Sequence, residues 1–402
     1  MTKTIHRLLC LSLAGIASAF GRPFPDLANS PPMGWNSWNW HGKKDITEKV
    51  VEETIDAMVT SGLRDAGYVY VVIDGGWRDT KLGPGGELRA HPTKFPGGIK
   101  RLADYAHSRG LKFGLHTAPG THDCGGDAVG GYGREDVHLK QFVEWGLDFV
   151  KVDKCKFEPG WTEDKVKAAY SKWADIIGRN GRPMVFSISA YIPREWYPEV
   201  CHMARTTYDI RARIHKDLGG AGFDDPAIRE NHLSVMAIAE LNNQSASLAG
   251  NGYWNDPDML VTGDHGLSQE EQKAHFALWC VMSSPLMLGN DPRNMTAAEK
   301  DIVLNRECIA VNQDPTEQGR RVRAEGKTEI WVKKLSDNRS AVLLLNRDDK
   351  SNRMVTLRAS DIGRTGKWKA RDLYAKQDLG TFESTLTKMV PPHAGLFLLI
   401  SE

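Results

Sequence analysis

Between about residues 30 and 315, short apolar runs alternate with longer segments whose apolar residues recur every three or four positions. The run YVYVVID (68–74) predicts a strand, and GGIKRLADYAHSRG (97–110) predicts an amphipathic helix closed by Gly110. The rhythm continues with LKFGLHT (111–117) as strand, REDVHLKQFVEWG (134–146) as helix and LDFVKVD (147–153) as strand. A helix over 162–181, a strand over 183–189, a helix near EEQKAHFALWCVM and a strand near PLMLG complete the series. Such alternation predicts an α/β architecture with a parallel sheet. The polar residues of each strand fall at its C-terminal end and no glycine-rich nucleotide loop is present, which favours a (β/α)8 TIM barrel over a doubly wound sheet.

After IAVNQDP (309–315) the texture changes. TEIWVKKL, SAVLLLNRD, RMVTLRAS, WKARDLY and HAGLFLLI are short alternating runs between turn residues, which predicts an antiparallel β-sandwich. The expected domains are therefore a catalytic barrel over 24–316 and a β-domain over 317–402.

A chain of 402 residues suits two domains, and its net charge of +1, with charges mixed along the chain, indicates neither nucleic acid nor an anionic membrane as partner. The first residues, MTKTIHRLLCLSLAGIASAF, read as a secretory signal over 1–19. Lys3 and Arg7 precede an apolar run too short to span a bilayer, and Ala17-Ser18-Ala19 offers a cleavage site. A secreted or periplasmic destination follows, where disulfides are permitted. Five cysteines remain beyond the signal (124, 155, 201, 280 and 308), and an odd number leaves at least one thiol free or paired between chains. A homo-oligomer stays open.

Acidic residues stand at predicted strand ends: Asp74, Asp153, Asp209, and Asp256 with Asp258. Singly, each reads as a helix cap or turn former. Together with Trp35, Trp38, Trp40 and Trp77 they suggest carbohydrate chemistry, since glycoside cleavage needs two carboxyl groups flanking the bond and aromatic faces suit sugar rings. His116, His122, Asp123 and Cys124 lie close in sequence, but neither HExxH nor CxxC spacing is present, so no metal is expected. No cofactor signature or GxSxG elbow occurs.

PPMGWNSWNWHG, YVYVVIDGGWRD, KFPGGIKRLADYAHSRGLKFGLH, DFVKVDKC, ARTTYDI, GYWNDPDMLVTG, PLMLGNDPR and IAVNQDP, in this order, resemble glycoside hydrolase family 27, the α-galactosidase and α-N-acetylgalactosaminidase family. The resemblance covers nearly the whole chain after residue 30. It implies a (β/α)8 barrel followed by an antiparallel β-domain, and a retaining exo-glycosidase acting on oligosaccharides or polysaccharides with terminal α-galactosyl-like residues. Asp153 would be the nucleophile and Asp209 the general acid/base, with carboxyls about 5–5.5 Å apart. Lys151 would bind a ring hydroxyl beside Asp153, Arg205 would lie near the sugar 2-position, and Trp38 would wall the subsite. Asp74 would bind hydroxyls on the far side, Asp258 would shape the pocket, and Cys124 and Cys155 would form a disulfide joining two active-site loops.

Three departures bear on the sugar. Gly75 stands where many members carry a second acid that helps recognise the axial 4-hydroxyl. His116 and Ala118 stand where a tyrosine and an acid are common. FSISAYIP (186–193) replaces a Cys-Glu-Trp or Cys-Ser-Trp segment that reads the 2-substituent; Ser189 there resembles the small residue of the N-acetylgalactosaminidases, and Ile188 leaves Cys201 without the usual partner. α-N-acetylgalactosaminidase, β-L-arabinopyranosidase and α-glucan-cleaving activities stay open beside α-galactosidase, as does an inactive sugar-binding protein on the same barrel.

Overall fold

The computed structural model describes residues 21–124, 129–155, 160–214 and 233–402; the expected signal segment lies outside them. Eight strands form one parallel sheet: β1 (Met33–Asn36), β2 (Tyr70–Ile73), β3 (Lys112–Thr117), β4 (Phe149–Asp153), β5 (Val185–Ser189), β6 (Met203–Arg205), β7 (Trp254–Asp256) and β8 (Leu286–Leu288). Their order is β7-β6-β5-β4-β3-β2-β1-β8, and a parallel bridge from Leu260, just after β7, to Leu288 closes the ring. Gly34 of β1 is required by close approach: a Cβ there would lie 2.2 Å from the Tyr70 carbonyl oxygen.

The period-2 alternation of a strand explains how this ring points its chemistry. On β4, Val150 and Val152 face outward into the core shared with the helices, while Phe149 faces inward and packs in a small cluster with Tyr70, Val72, Val185, Met203 and Met287. Lys151 and Asp153 have the parity of Phe149, so they stand above this apolar plug, at the C-terminal mouth. Four of the helices between the strands are capped by side chains, with Thr47, Thr162, Ser234 and Ser268 each accepting a backbone N–H of the first turn.

The strands of the second region are β9 (Arg320–Glu325), β10 (Thr328–Lys334), β11 (Ser340–Asn346), β12 (Arg353–Arg358), β13 (Trp368–Asp372), β14 (Gln377–Phe382), β15 (Thr385–Val390) and β16 (Gly395–Ser401). They form a six-stranded sheet of order β14-β13-β16-β11-β10-β9 and a two-stranded sheet, β12-β15. β11 is buried along its whole length because it is shared: Ala341, Leu343 and Leu345 join the barrel-side core, Val342 and Leu344 the core of the sandwich. The helix Gln269–Val281 is buried almost all round between this sheet and the barrel. Among the described residues, no helix is long and apolar enough to cross a membrane.

Candidate active site

A cavity of about 100 Å³ opens at the barrel mouth. It is lined by Trp38, Asp74, His116, Lys151, Asp153, Arg205, Asp209 and Asp258, and by Cys124. A larger groove, about 610 Å³, runs between helix Gln269–Val281 and the β-domain and holds none of these residues.

Two cations organise the pocket. Lys151 Nζ donates to Asp74 Oδ2 at 2.8 Å and lies 3.5 Å from Asp153 Oδ2. Asp74 also accepts from Asn36 Nδ2 at 3.1 Å and from the Gly75 N–H at 2.8 Å. Burial pushes the Asp74 carboxyl up, but the Lys151 charge, His116 and the hydrogen bonds from Lys151 and the Gly75 N–H outweigh it and hold it well below the usual carboxylate range. Lys151 shows the mirror image: burial opposes its charge, while Asp74 and Asp153 raise its pKa above the ordinary lysine value. On the opposite side, Arg205 Nη2 donates to Asp209 Oδ1 at 3.2 Å and lies 3.0 Å from Asp258 Oδ2. Asp258 accepts from the backbone of Ile210 and Met259, each at 2.8 Å, yet burial and the neighbouring acids Asp209 and Asp256 raise it to about 6 against the pull of Arg205.

His116 sits against both sides of the Lys151 cluster, with Nε2 4.0 Å from Asp74 Oδ1 and 3.8 Å from Asp153 Oδ2. Burial lowers its pKa, against the pull of those carboxylates. Cys124 and Cys155 form a disulfide that ties the segments following β3 and β4. With His116 and Asp153 the two sulfurs make a compact set of potential metal donors, all within 4.8 Å, but the disulfide consumes two of the four. Asp123, considered as a ligand from sequence, instead pairs with Arg78 at 3.4 Å, both buried. Cys201, Cys280 and Cys308 are free and buried.

Other residues singled out from sequence lie elsewhere. Trp35 and Trp77 are core residues: their indole N–H groups donate to the Asn290 and His116 carbonyls. Trp40 packs edge-on against His265, leaving Trp38 as the tryptophan of the pocket. Ser189, at the end of β5 and in register with Asp153, is fully buried; its hydroxyl has no hydrogen-bond partner among the described residues and does not line the cavity.

Lys43, Met259 and Tyr191 line the pocket without having been anticipated. Tyr191 Oη donates to Asp153 Oδ1 at 2.6 Å. Its signal was faint: a lone tyrosine two residues beyond a strand, in a segment where the family pattern is broken.

Comparisons with known proteins bear on the family and the fold. The family described as Alpha galactosidase A matches residues 30–314, and Alpha galactosidase C-terminal beta sandwich domain matches residues 325–400. Alpha-galactosidase 2 of Arabidopsis thaliana is 37% identical over 374 residues, 92% of this chain and 88% of that protein. The crystal structure of α-galactosidase I from Mortierella vinacea superposes with a TM-score of 0.87 at 32% identity, covering 94% of this chain and 98% of the other. A family 27 β-L-arabinopyranosidase from Geobacillus stearothermophilus superposes with a TM-score of 0.82 at 26% identity, covering 94% and 98%. Matched in sequence through barrel and sandwich alike, the chain belongs to glycoside hydrolase family 27 and is a glycoside hydrolase of the α-galactosidase type.

Proposed function

We propose that the protein is an exported exo-α-galactosidase that works with net retention, Asp153 attacking and Asp209 serving as acid and then base. The observation that carries this reading is the unequal setting of the two carboxylates in one pocket at the barrel mouth. The Asp153 side chain is 7% exposed between Lys151 and Tyr191, as a fixed nucleophile should be, whereas that of Asp209 is 38% exposed, open to proton exchange with water.

In the first step the Asp153 carboxylate forms a bond to C1 as the C1–O bond to the leaving group breaks, and Asp209 gives its proton to the departing oxygen. In the second, Asp209 takes a proton from water, whose oxygen attacks C1 from the opposite face and releases Asp153. Two inversions restore the original anomer. Lys151, shared with Asp74, supplies positive charge beside the nucleophile, and Asp74 and Arg205 present hydrogen-bonding groups to the ring hydroxyls.

Asp153→Ala should lower turnover of p-nitrophenyl α-galactoside by roughly 10⁴-fold or more, and proton NMR should find the α-anomer of galactose as first product. Retained activity in the variant, or a β-anomer product, overturns the reading. Export is checked by the N-terminal sequence of the protein recovered outside the cytoplasm, expected to start near Phe20.

One second reading, a β-L-arabinopyranosidase, stays beside it, because a neighbour in fold has that activity and that pentose has the ring stereochemistry of α-galactose, axial 4-hydroxyl included, without its hydroxymethyl group. Relative kcat/KM on the two p-nitrophenyl glycosides decides between them, and the α-N-acetylgalactosaminide and α-glucoside complete the panel.

A further inference from the structure

We infer that Tyr191 is a positioning residue for the nucleophile, holding the Asp153 carboxylate in the orientation from which it attacks. The inference rests on the reading of Asp153 given above and extends it to a side chain that nothing else assigns. At 2.6 Å, the hydrogen bond from Tyr191 Oη to Asp153 Oδ1 is the shortest contact made by either carboxylate oxygen among the described residues; Oδ2 faces Lys151 Nζ at 3.5 Å and His116 Nε2 at 3.8 Å. The terminal torsion of an aspartate is soft. One strong donor on one oxygen, with cationic and imidazole groups facing the other, therefore sets the plane of the carboxylate.

Tyr191 is itself held. Its backbone lies in the left-handed region at φ 66°, which bulky residues rarely adopt, so the turn after β5 aims this side chain at a conformational cost. Its ring stacks on Tyr208, with centroids 5.3 Å apart and planes at 18°, and the Arg205 guanidinium lies 5.6 Å from its centre. Tyr208 precedes Asp209, and Arg205 donates to Asp209, so the ring spans from the nucleophile to the segment carrying the acid/base. Burial and the Asp153 and Asp209 charges push its phenol well above the ordinary value, which keeps it a donor throughout the working pH range.

Tyr191→Phe keeps the ring and its stacking while removing only the donor. It should lower kcat on p-nitrophenyl α-galactoside roughly 10- to 100-fold, the scale of lost orientation, with KM changed less than about threefold. The rate of inactivation by a galacto-configured reagent that esterifies the nucleophile should fall by a similar factor. A lowered melting temperature with wild-type kcat and inactivation rate would mean a structural role only and would overturn the inference. Asp153→Ala, measured alongside, separates the two claims: if it stays active the nucleophile reading fails, and if it is dead while Tyr191→Phe is fully active only the role of Tyr191 fails. Should Tyr191→Phe not fold, Tyr208→Leu removes the stacking support alone; a smaller loss of kcat at constant KM supports the inference, and an unchanged kcat overturns it.

Discussion

Lys151 and Arg205 each gather two carboxylates, and the two sides of the pocket differ in what surrounds those acids. Asp74 and Asp258 are both buried, and each touches its cation at about the same distance, 2.8 and 3.0 Å. Yet Asp74 is held far below the usual carboxylate range while Asp258 rises to about 6. Each shares its cation with a second acid, but around Asp74 the other neighbours are the donors Asn36 and the Gly75 backbone and the His116 ring, whereas Asp258 feels both Asp209 and a further acid, Asp256. Burial costs both acids alike, and the company each keeps decides the sign. In the mechanism proposed above, the donor-rich side holds the attacking Asp153 and the acid-crowded side holds Asp209.

The largest test of this division is Asp209→Ala. Turnover of substrates with poor leaving groups should fall by roughly 10²- to 10⁴-fold, the usual contribution of a general acid, and p-nitrophenyl or better leaving groups should suffer less, since they depart with little protonation. Azide, which needs no base, should restore turnover and yield a galactosyl azide of α configuration, read by NMR. An equal loss on all leaving groups would erase the distinction between the two sides.

Smaller effects should appear in stability, with opposite slopes. Asp258 is raised from 3.8 to about 6, so its contribution is fully present below about pH 4 and is lost as pH rises through 6. Asp74 is depressed, so its contribution is present above about pH 4 and is lost only as pH falls toward its lower value. The stability of wild type relative to Asp258→Asn should therefore fall between pH 4 and 7, by on the order of 2 kcal/mol, while that relative to Asp74→Asn should hold over this range and shrink only in stronger acid. Urea unfolding midpoints at pH 4.5 and 7.5 should show the Asp258 difference and no Asp74 difference; equal changes for both variants would break the comparison.

The sequence made much of this legible, and unevenly. Helices and strands with strong periodicity were anticipated within about two residues, such as Lys112–Thr117 against 111–117 and Glu163–Arg179 against 162–181. β6 and β7, three residues each, are too short for periodicity to register, and Arg205 was visible only through the family motif. β9, β14 and β15 escaped because they bury little: RRVRAE and QDLGTF have no apolar face to signal a strand. Candidate chemistry on strand ends was readable because alternation dictates which face points inward. Tyr191 was not, because its aim comes from a left-handed turn beyond β5, and Ser189, which only the family resemblance brought to the pocket, is buried and does not line it.

The smallest expected effect concerns the wall on the Lys151 side, where Gly75 and Trp38 meet. A Cβ at residue 75 would lie 3.3 Å from Trp38 Cζ3, tight enough that the indole must give by a few tenths of an ångström. Gly75 is not among the glycines of positive φ, so Gly75→Ala tests that contact without backbone strain. If the indole is a fixed wall for the sugar, its displacement should raise KM for p-nitrophenyl α-galactoside by about two- to fivefold, equivalent to about 0.4–1 kcal/mol, and leave kcat alone, because ring binding is disturbed while Asp153 and Asp209 are not. An unchanged KM would show that Trp38 yields freely. The recognition of the sugar would then rest on Asp74 and Lys151, and the donor-rich side would carry the binding as well as the attack.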